Sequence, residues 1–213
     1  MSKCLVVLAS ILEKEGFLKP GFLAFDVKIR IRFLRLIEEW GVFQERFGPE
    51  GVENNPVWQQ IIPYIVLRRK NLFFIYERGG AGSAYQEKRL QGRVSCGIGG
   101  HVESQDRHLM RALYRELNEE VVFTLFNSSA PVQFDGQVEI LGLVKDDTND
   151  VGRVHLGVVG QVQLGLNFDI SLNPQGDEAV SGRFVNALQY QNLVKSGNVK
   201  TDTWTEIVFR ECL

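Results

Sequence analysis

Between Leu109 and Val121, apolar residues recur at 109, 110, 113, 117 and 121, the spacing of one helix face turning about 100° per residue. A chain with this stretch must build a surface on which that face packs. The same stretch contains Arg115-Glu116-Leu117-Asn118-Glu119-Glu120. Its glutamates stand at i, i+3 and i+4, so three carboxylates are expected on one exposed stripe beside the apolar one. Like charges ~4 Å apart repel by roughly 4 kcal/mol at an effective dielectric near 20, which favours a cation among them. Oxygen-only ligands on one short helix suit Mg²⁺ or Mn²⁺, whereas zinc prefers His or Cys. An acidic run on a helix is ordinarily a solvated face. Here the segment Cys96-Gly97-Ile98-Gly99-Gly100-His101-Val102-Glu103 delivers a strand and a glycine turn straight into the acidic helix, the order of a phosphate-and-metal site.

The rest of the chain supplies strands for that helix to cover. Residues 1 to 56 form a leader, with a strand expected over Lys3 to Ala9 and a helical pattern over Val27 to Phe47 at Ile31, Leu34, Ile37 and Trp40. Gly48 to Pro56 reads as a connector, so a boundary is expected near residue 57, with the main domain over 57 to 213. Gln60 to Leu67 and Leu72 to Tyr76 form a hairpin around Arg69-Lys70-Asn71. Gly79 to Lys88 is a loop, Gly92 to Ile98 a strand, and Ser104 to Phe123 the main helix. Strands follow at Val138 to Val144 and Val154 to Leu164, and Thr203 and Glu206 have the capping-box spacing for a last helix over Trp204 to Glu211. Strands on both sides of one helix indicate an α/β or α+β sandwich with a mixed sheet.

At 213 residues the chain suits one principal domain with an N-terminal accessory segment. A formal net charge of −2 lacks the basic surplus that would neutralise a phosphate backbone, which argues against duplex nucleic acid as a partner. A small anionic ligand fits, because a metal ion and a few arginines can meet its charge locally. The three cysteines are widely spaced with no C-x-x-C pair, which fits a reduced, cytoplasmic setting. The apolar run Cys4 to Leu12 is far short of the roughly 20 residues that span a bilayer, and no membrane association is expected.

Gly99-Gly100-His101-Val102-Glu103 followed by Arg115-Glu116-Leu117-x-Glu119-Glu120 resembles the Nudix box of the MutT-like hydrolases, G-x5-E-x7-R-E-U-x-E-E-x-G-U with U aliphatic. With Gly100 as the first glycine, Asp106 stands where the first Glu belongs, and eight residues rather than seven separate it from Arg115. Val122 replaces the second glycine, and Phe123 holds the last U. The resemblance covers about residues 57 to 213. The chain also resembles a subgroup of predicted phosphoesterases, through its helical leader, Gln60-Ile61-Ile62-Pro63-Tyr64 and Val151-Gly152-x-Val154-His155-Leu156-Gly157.

The resemblance implies a Nudix-type α/β/α sandwich and a Mg²⁺- or Mn²⁺-dependent enzyme that cleaves a phosphoanhydride bond in a nucleoside diphosphate-linked small molecule. It assigns Glu116, Glu119 and Glu120 to the metal and Arg115 to orienting them, with Glu178 in Gly176-Asp177-Glu178-Ala179 as the candidate general base alongside a helix Glu. Arg78 and Arg89 flank the polar loop and are candidates to hold phosphate, together with Gly99, Gly100 and His101; His101 would bond phosphate or cap the helix. His155, between Val154 and Leu156, is expected to be structural. Two alternatives stay open. The altered positions at 106 and 122 suit a nucleotide-binding sensor without turnover. Cys96 admits an isopentenyl-diphosphate-isomerase-like enzyme, although a lone strand cysteine is usually a small buried hydrophobe. The leader either covers its own sheet or makes a homodimer contact.

Overall fold

The structure, a computed structural model, describes residues 3–79, 90–128, 130–175 and 179–211. The first elements are β1 (Lys3–Leu8), α1 (Ala9–Lys14), β2 (Gly21–Ala24), α2 (Val27–Trp40) and β3 (Val42–Glu45). A 3₁₀ turn at Val52–Asn54 precedes β4 (Trp58–Arg69) and β5 (Leu72–Arg78). Next come β6 (Arg93–Ser95), β7 (Gly97–Ile98), α3 (Leu109–Glu120), β8 (Val121–Leu125) and β9 (Pro131–Val132). The remainder comprises β10 (Glu139–Lys145), α4 (Asp150–Val154), β11 (His155–Gln163), β12 (Phe168–Leu172), β13 (Ala179–Val185), α5 (Ala187–Lys195), β14 (Lys200–Thr201) and α6 (Thr203–Glu211).

The main sheet runs β14-β6-β5-β4-β11-β10-β2, and β12, β8 and β9 form a small second sheet. The long strand β4 is its spine. Its first residues pair with β1, its far end with β5 and β7, and along its length it lies parallel to β11. Gln59 to Leu67 are all buried, as expected of a strand in a parallel pair covered on both faces. Alternate side chains go to opposite layers. Ile61, Ile65 and Leu67 join Leu113 and Leu117 of α3 and Phe33, Leu36 and Ile37 of α2. Tyr64 and Val66 join Tyr190 of α5 and Val208 of α6. Helices thus cover both faces of a mixed sheet, the α/β/α sandwich expected.

The N-terminal segment is woven into this architecture: β1 pairs with β4, and β2 pairs with β10. Helix α2 ends at Trp40 rather than continuing to Phe47, because Gly41 leaves it in an extended conformation and β3 follows. Its core contact also differs from the expected stripe. Ile37 is buried and Leu34 partly so, but Ile31 and Trp40 are exposed while Phe33 and Leu36 go inside. At the C-terminus α6 is capped by Asp202, whose Oδ1 accepts from Thr205 N–H at 2.7 Å, rather than by Thr203. Among the described residues, no helix is long and apolar enough to cross a membrane.

Candidate functional site

Helix α3 begins at Leu109, later than the Ser104 that the sequence suggests. Before it the chain makes a tight turn in which Glu103 N–H donates to Asp106 Oδ2 at 2.8 Å and Arg107 adopts a φ of 64°. The cap is His108, whose Nδ1 accepts from Arg111 N–H at 3.3 Å. The helix ends at Glu120, where the backbone turns at Val121 (φ −126°, ψ 129°) directly into β8. That exit accounts for Val122. A glycine serves a helix that closes in a left-handed conformation, whereas here the chain is already extended and Val122 pairs with Ser171 of β12.

The buried face of α3 comprises Leu109, Ala112, Leu113, Glu116, Leu117 and Glu120. The three glutamates are therefore not equivalent, contrary to the single exposed stripe expected. Glu116 and Glu120 are 9% and 8% exposed, while the Glu119 side chain is 55% exposed. Positions 116 and 120 continue the row begun by 109 and 113, so the apolar stripe ends in two carboxylates at the edge of the core.

Arg115 organises this end of the helix. Its Nε and Nη2 donate to the two oxygens of Asp106, both at 2.8 Å, a bidentate clamp on a carboxylate that is only 2% exposed. Nη1 reaches Glu119 Oε2 at 2.7 Å, Nη2 lies 3.0 Å from Glu116 Oε1, and Nη2 also donates to the His101 carbonyl at 2.9 Å. The shorter side chain and extra residue at Asp106 are thus absorbed by the preceding turn. Burial would raise the Asp106 carboxyl, but the Arg115 hydrogen bonds and the Glu103 amide outweigh it and hold it below its ordinary range. Asp106, followed by Glu116 and Glu119, raises Arg115 against the opposing effect of burial. Glu116 goes the other way: burial, reinforced by Glu119 and Glu120 and opposed by Arg115, pushes it up to about 8.

The glycine turn closes over the same point. A Cβ on Gly99 would lie 1.9 Å from the Pro63 carbonyl oxygen, and one on Gly100 would lie 2.7 and 2.8 Å from the Glu116 oxygens. Gly100 therefore lets the backbone approach the Glu116 carboxylate more closely than any side chain would allow. Asn173 fastens the other side, donating its N–H to the Glu120 carbonyl at 2.9 Å and Nδ2–H to the Glu119 carbonyl at 2.7 Å. The cluster fits a hard divalent cation: the carboxylates supply oxygen donors only, and two of them are nearly buried with their mutual repulsion only partly offset by Arg115.

The Arg78 and His101 side chains engage other parts of the fold. Arg78 is 7% exposed, with Nη2 donating to Ser95 Oγ at 3.1 Å and Nε standing 3.5 Å from Asp202 beside α6. Its guanidinium thus holds an ion pair within the fold. The His101 ring caps no helix; Nε2 lies 3.0 Å from Gln60 Oε1, and the ring meets His155 edge-on at 5.5 Å. Cys96 is 1% exposed in the layer under α5 and α6, on the face of the sheet opposite α3. Arg89 and Glu178 lie outside the described residues. Asp106 is the residue of this cluster whose role the sequence left open; its place nine residues before Arg115 was the signal.

No protein-family model matches the chain. Over 164 residues it is 30% identical to protein YmaB of Bacillus subtilis (strain 168), an alignment covering 73% of this chain and 72% of that protein. Among solved structures, Tm1382, described as a candidate Nudix hydrolase, superposes with a TM-score of 0.68 at 26% identity, covering 98% of this chain and 96% of that one. DR0079 of Deinococcus radiodurans superposes with a TM-score of 0.54 at 16% identity, over 80% of this chain and 90% of that one, and shares the fold. A Nudix hydrolase from Alicyclobacillus acidocaldarius does so with the same TM-score at 14% identity, over 71% and 90%. A sequence relative over nearly three quarters of both chains, and a superposition along almost the full length, lead to one conclusion: the chain belongs to the Nudix hydrolase (MutT-like) superfamily, in the family of protein YmaB.

Proposed function

We propose that this protein is a Mg²⁺- or Mn²⁺-dependent pyrophosphohydrolase acting on a small molecule linked through a nucleoside diphosphate. The observation that carries the reading is the pair of nearly buried carboxylates, Glu116 and Glu120, held beside an Arg115 that is itself clamped by Asp106. Glu116, Glu119 and Glu120 would hold the cation, which when bound neutralises phosphate charge and acidifies a coordinated water. Arg115 fixes the rotamer of Glu119 and shares charge with Glu116. Gly99 and Gly100 bring backbone, free of side chain, up to this edge, and their amides are our candidates to meet phosphate oxygens. Glu178 is our candidate base, standing before β13 in sequence. Such positional and electrostatic work needs no covalent intermediate.

The departures that favour a non-hydrolysing sensor both have a structural account: Asp106 reaches Arg115 with two hydrogen bonds, and Val122 sits in a strand. The deeply buried Cys96, in the other layer, gives no support to an isomerase role. The test is a hydrolysis screen with Mg²⁺ or Mn²⁺ over dinucleoside polyphosphates, nucleotide sugars, nucleoside triphosphates and prenyl diphosphates. Release of a monophosphate is expected, with Glu119→Gln losing roughly 100-fold, the scale on which one charge-stabilising group acts. Full activity and unchanged metal affinity in Glu119→Gln would refute the assignment.

A further inference from the structure

Beside the glycine turn, but off the acidic helix, three side chains from distant parts of the chain converge. Glu53 comes from the 3₁₀ turn of the N-terminal segment, His101 from the residue after Gly100, and His155 from the first position of β11. One ligand atom of each lies within 4.8 Å of the others. Parallel pairing of β4 and β11 sets His155 opposite Gln60, and Gln60 in turn touches His101.

Each of the three is oriented by an outer partner. The Val151 carbonyl can only accept, so the 2.6 Å contact puts a proton on His155 Nδ1 and leaves Nε2 as the nitrogen turned away from it. Gln60 Oε1 accepts from His101 Nε2 at 3.0 Å, which puts the His101 lone pair on Nδ1. Arg46 Nε holds Glu53 Oε2 at 2.8 Å. Imidazoles whose other nitrogen donates to a carbonyl or amide oxygen are the usual arrangement of metal-ligating histidines. His155 is 4% exposed and the Glu53 side chain 12%, so a bound ion would be largely shielded from water.

We propose that Glu53, His101 and His155 form a second metal site, selective for Zn²⁺ or a similar transition metal, that ties the N-terminal segment to the glycine turn. Two imidazoles and one carboxylate are a zinc donor set, with a fourth position for water, and are poor ligands for Mg²⁺. Ligand atoms on a tetrahedral zinc stand about 3.3 Å apart, so closure onto the ion asks for small side-chain rotations. The site is distinct in residues and chemistry from the oxygen-only cluster on α3, and the two are joined through one backbone group. The His101 carbonyl accepts from Arg115 at 2.9 Å, so an ion on the His101 ring steadies the peptide that positions the arginine.

The test uses the full chain dialysed against Zn²⁺ with excess Mg²⁺, which occupies the α3 carboxylates, and counts bound zinc by mass spectrometry. Co²⁺ serves as a visible-absorbing substitute for zinc, and circular dichroism checks each variant's fold. Wild type is expected to retain one zinc per chain and to show the visible bands of a low-coordinate Co²⁺ site. Glu53→Gln and His155→Gln should weaken binding about tenfold or more, on the scale of altered metal surroundings, while Glu119→Gln should not. Absence of stoichiometric zinc in wild type, equal zinc in Glu53→Gln, or zinc lost only in Glu119→Gln would overturn the proposal. Should His155→Gln fail to fold, Glu53→Gln, a change that keeps the size of the side chain in a short turn, decides. None of these readouts depends on hydrolysis, so the site and the enzymatic reading stand or fall separately.

Discussion

Replacing Glu116 by Gln should make the metal-free protein more stable at neutral pH. The folded carboxyl titrates at about 8 against 4.5 in a free chain, because it is buried and faces Glu119 and Glu120. A carboxyl with a raised value keeps its proton in the fold while the unfolded chain has lost it. Its stabilising contribution is therefore complete below about 4.5, declines as pH rises, and is gone above about 8. His101, lowered from 6.5 by burial and neighbouring cations, gives the opposite trend, but only below 6.5. The window free of His101 is therefore 6.5 to 8, and Lys145, lowered from 10.5 by burial, is common to both proteins and drops out of their comparison. Each pH unit there is worth about 1.4 kcal/mol, so wild type should lose about 2 kcal/mol across the window. The Glu116→Gln variant has no titrating proton at this position, and its curve should be flat by comparison. The assay is urea unfolding in chelator-treated buffer at half-unit steps of pH. Mg²⁺ at about 100 times its dissociation constant should restore about 2.7 kcal/mol to wild type near the top of the window and much less to the variant. Parallel pH curves for the two proteins would refute the reasoning, since Glu116 would then be ionised throughout.

Other substitutions probe the supports of the site. Asp106→Ala should cost about 3 to 5 kcal/mol in chemical denaturation, because it leaves a half-buried Arg115 without its bidentate partner; a cost below about 1 kcal/mol would show the clamp to be incidental. Gly100→Ala drives a methyl to within 2.8 Å of both Glu116 oxygens, so hydrolysis should fall about 100-fold with little change in folding, as judged by kinetics and circular dichroism. Val122→Gly, which restores the family glycine, should lower stability by about 1 kcal/mol in the same denaturation assay, since the position lies within β8 rather than at a left-handed helix end.

The sequence alone determined the features that local periodicity controls. The acidic helix, the glycine turn before it and the hairpin of β4 and β5 follow from spacings of two or 3.6 residues and from turn chemistry that needs no distant partner. Boundaries were less legible where a tertiary contact set them. The turn at Glu103 to Arg107 exists because Asp106 bonds both the Glu103 amide and Arg115, and that delays α3 to Leu109. The face of α2 was ambiguous because Ile31-Leu34-Ile37 and Phe33-Leu36-Ile37 are both helical stripes; packing on the sheet selected the second.

Only the tertiary structure decided which glutamates are buried and what surrounds the two histidines. Burial depends on where α3 meets the sheet, and that contact raises Glu116 while leaving Glu119 exposed. The meeting of Glu53, His101 and His155 depends on β7 and β11 both pairing with β4, a non-local pairing that brings together residues about fifty positions apart along the chain. A side-chain period of two or 3.6 carries no information over such a distance. The register between strands does.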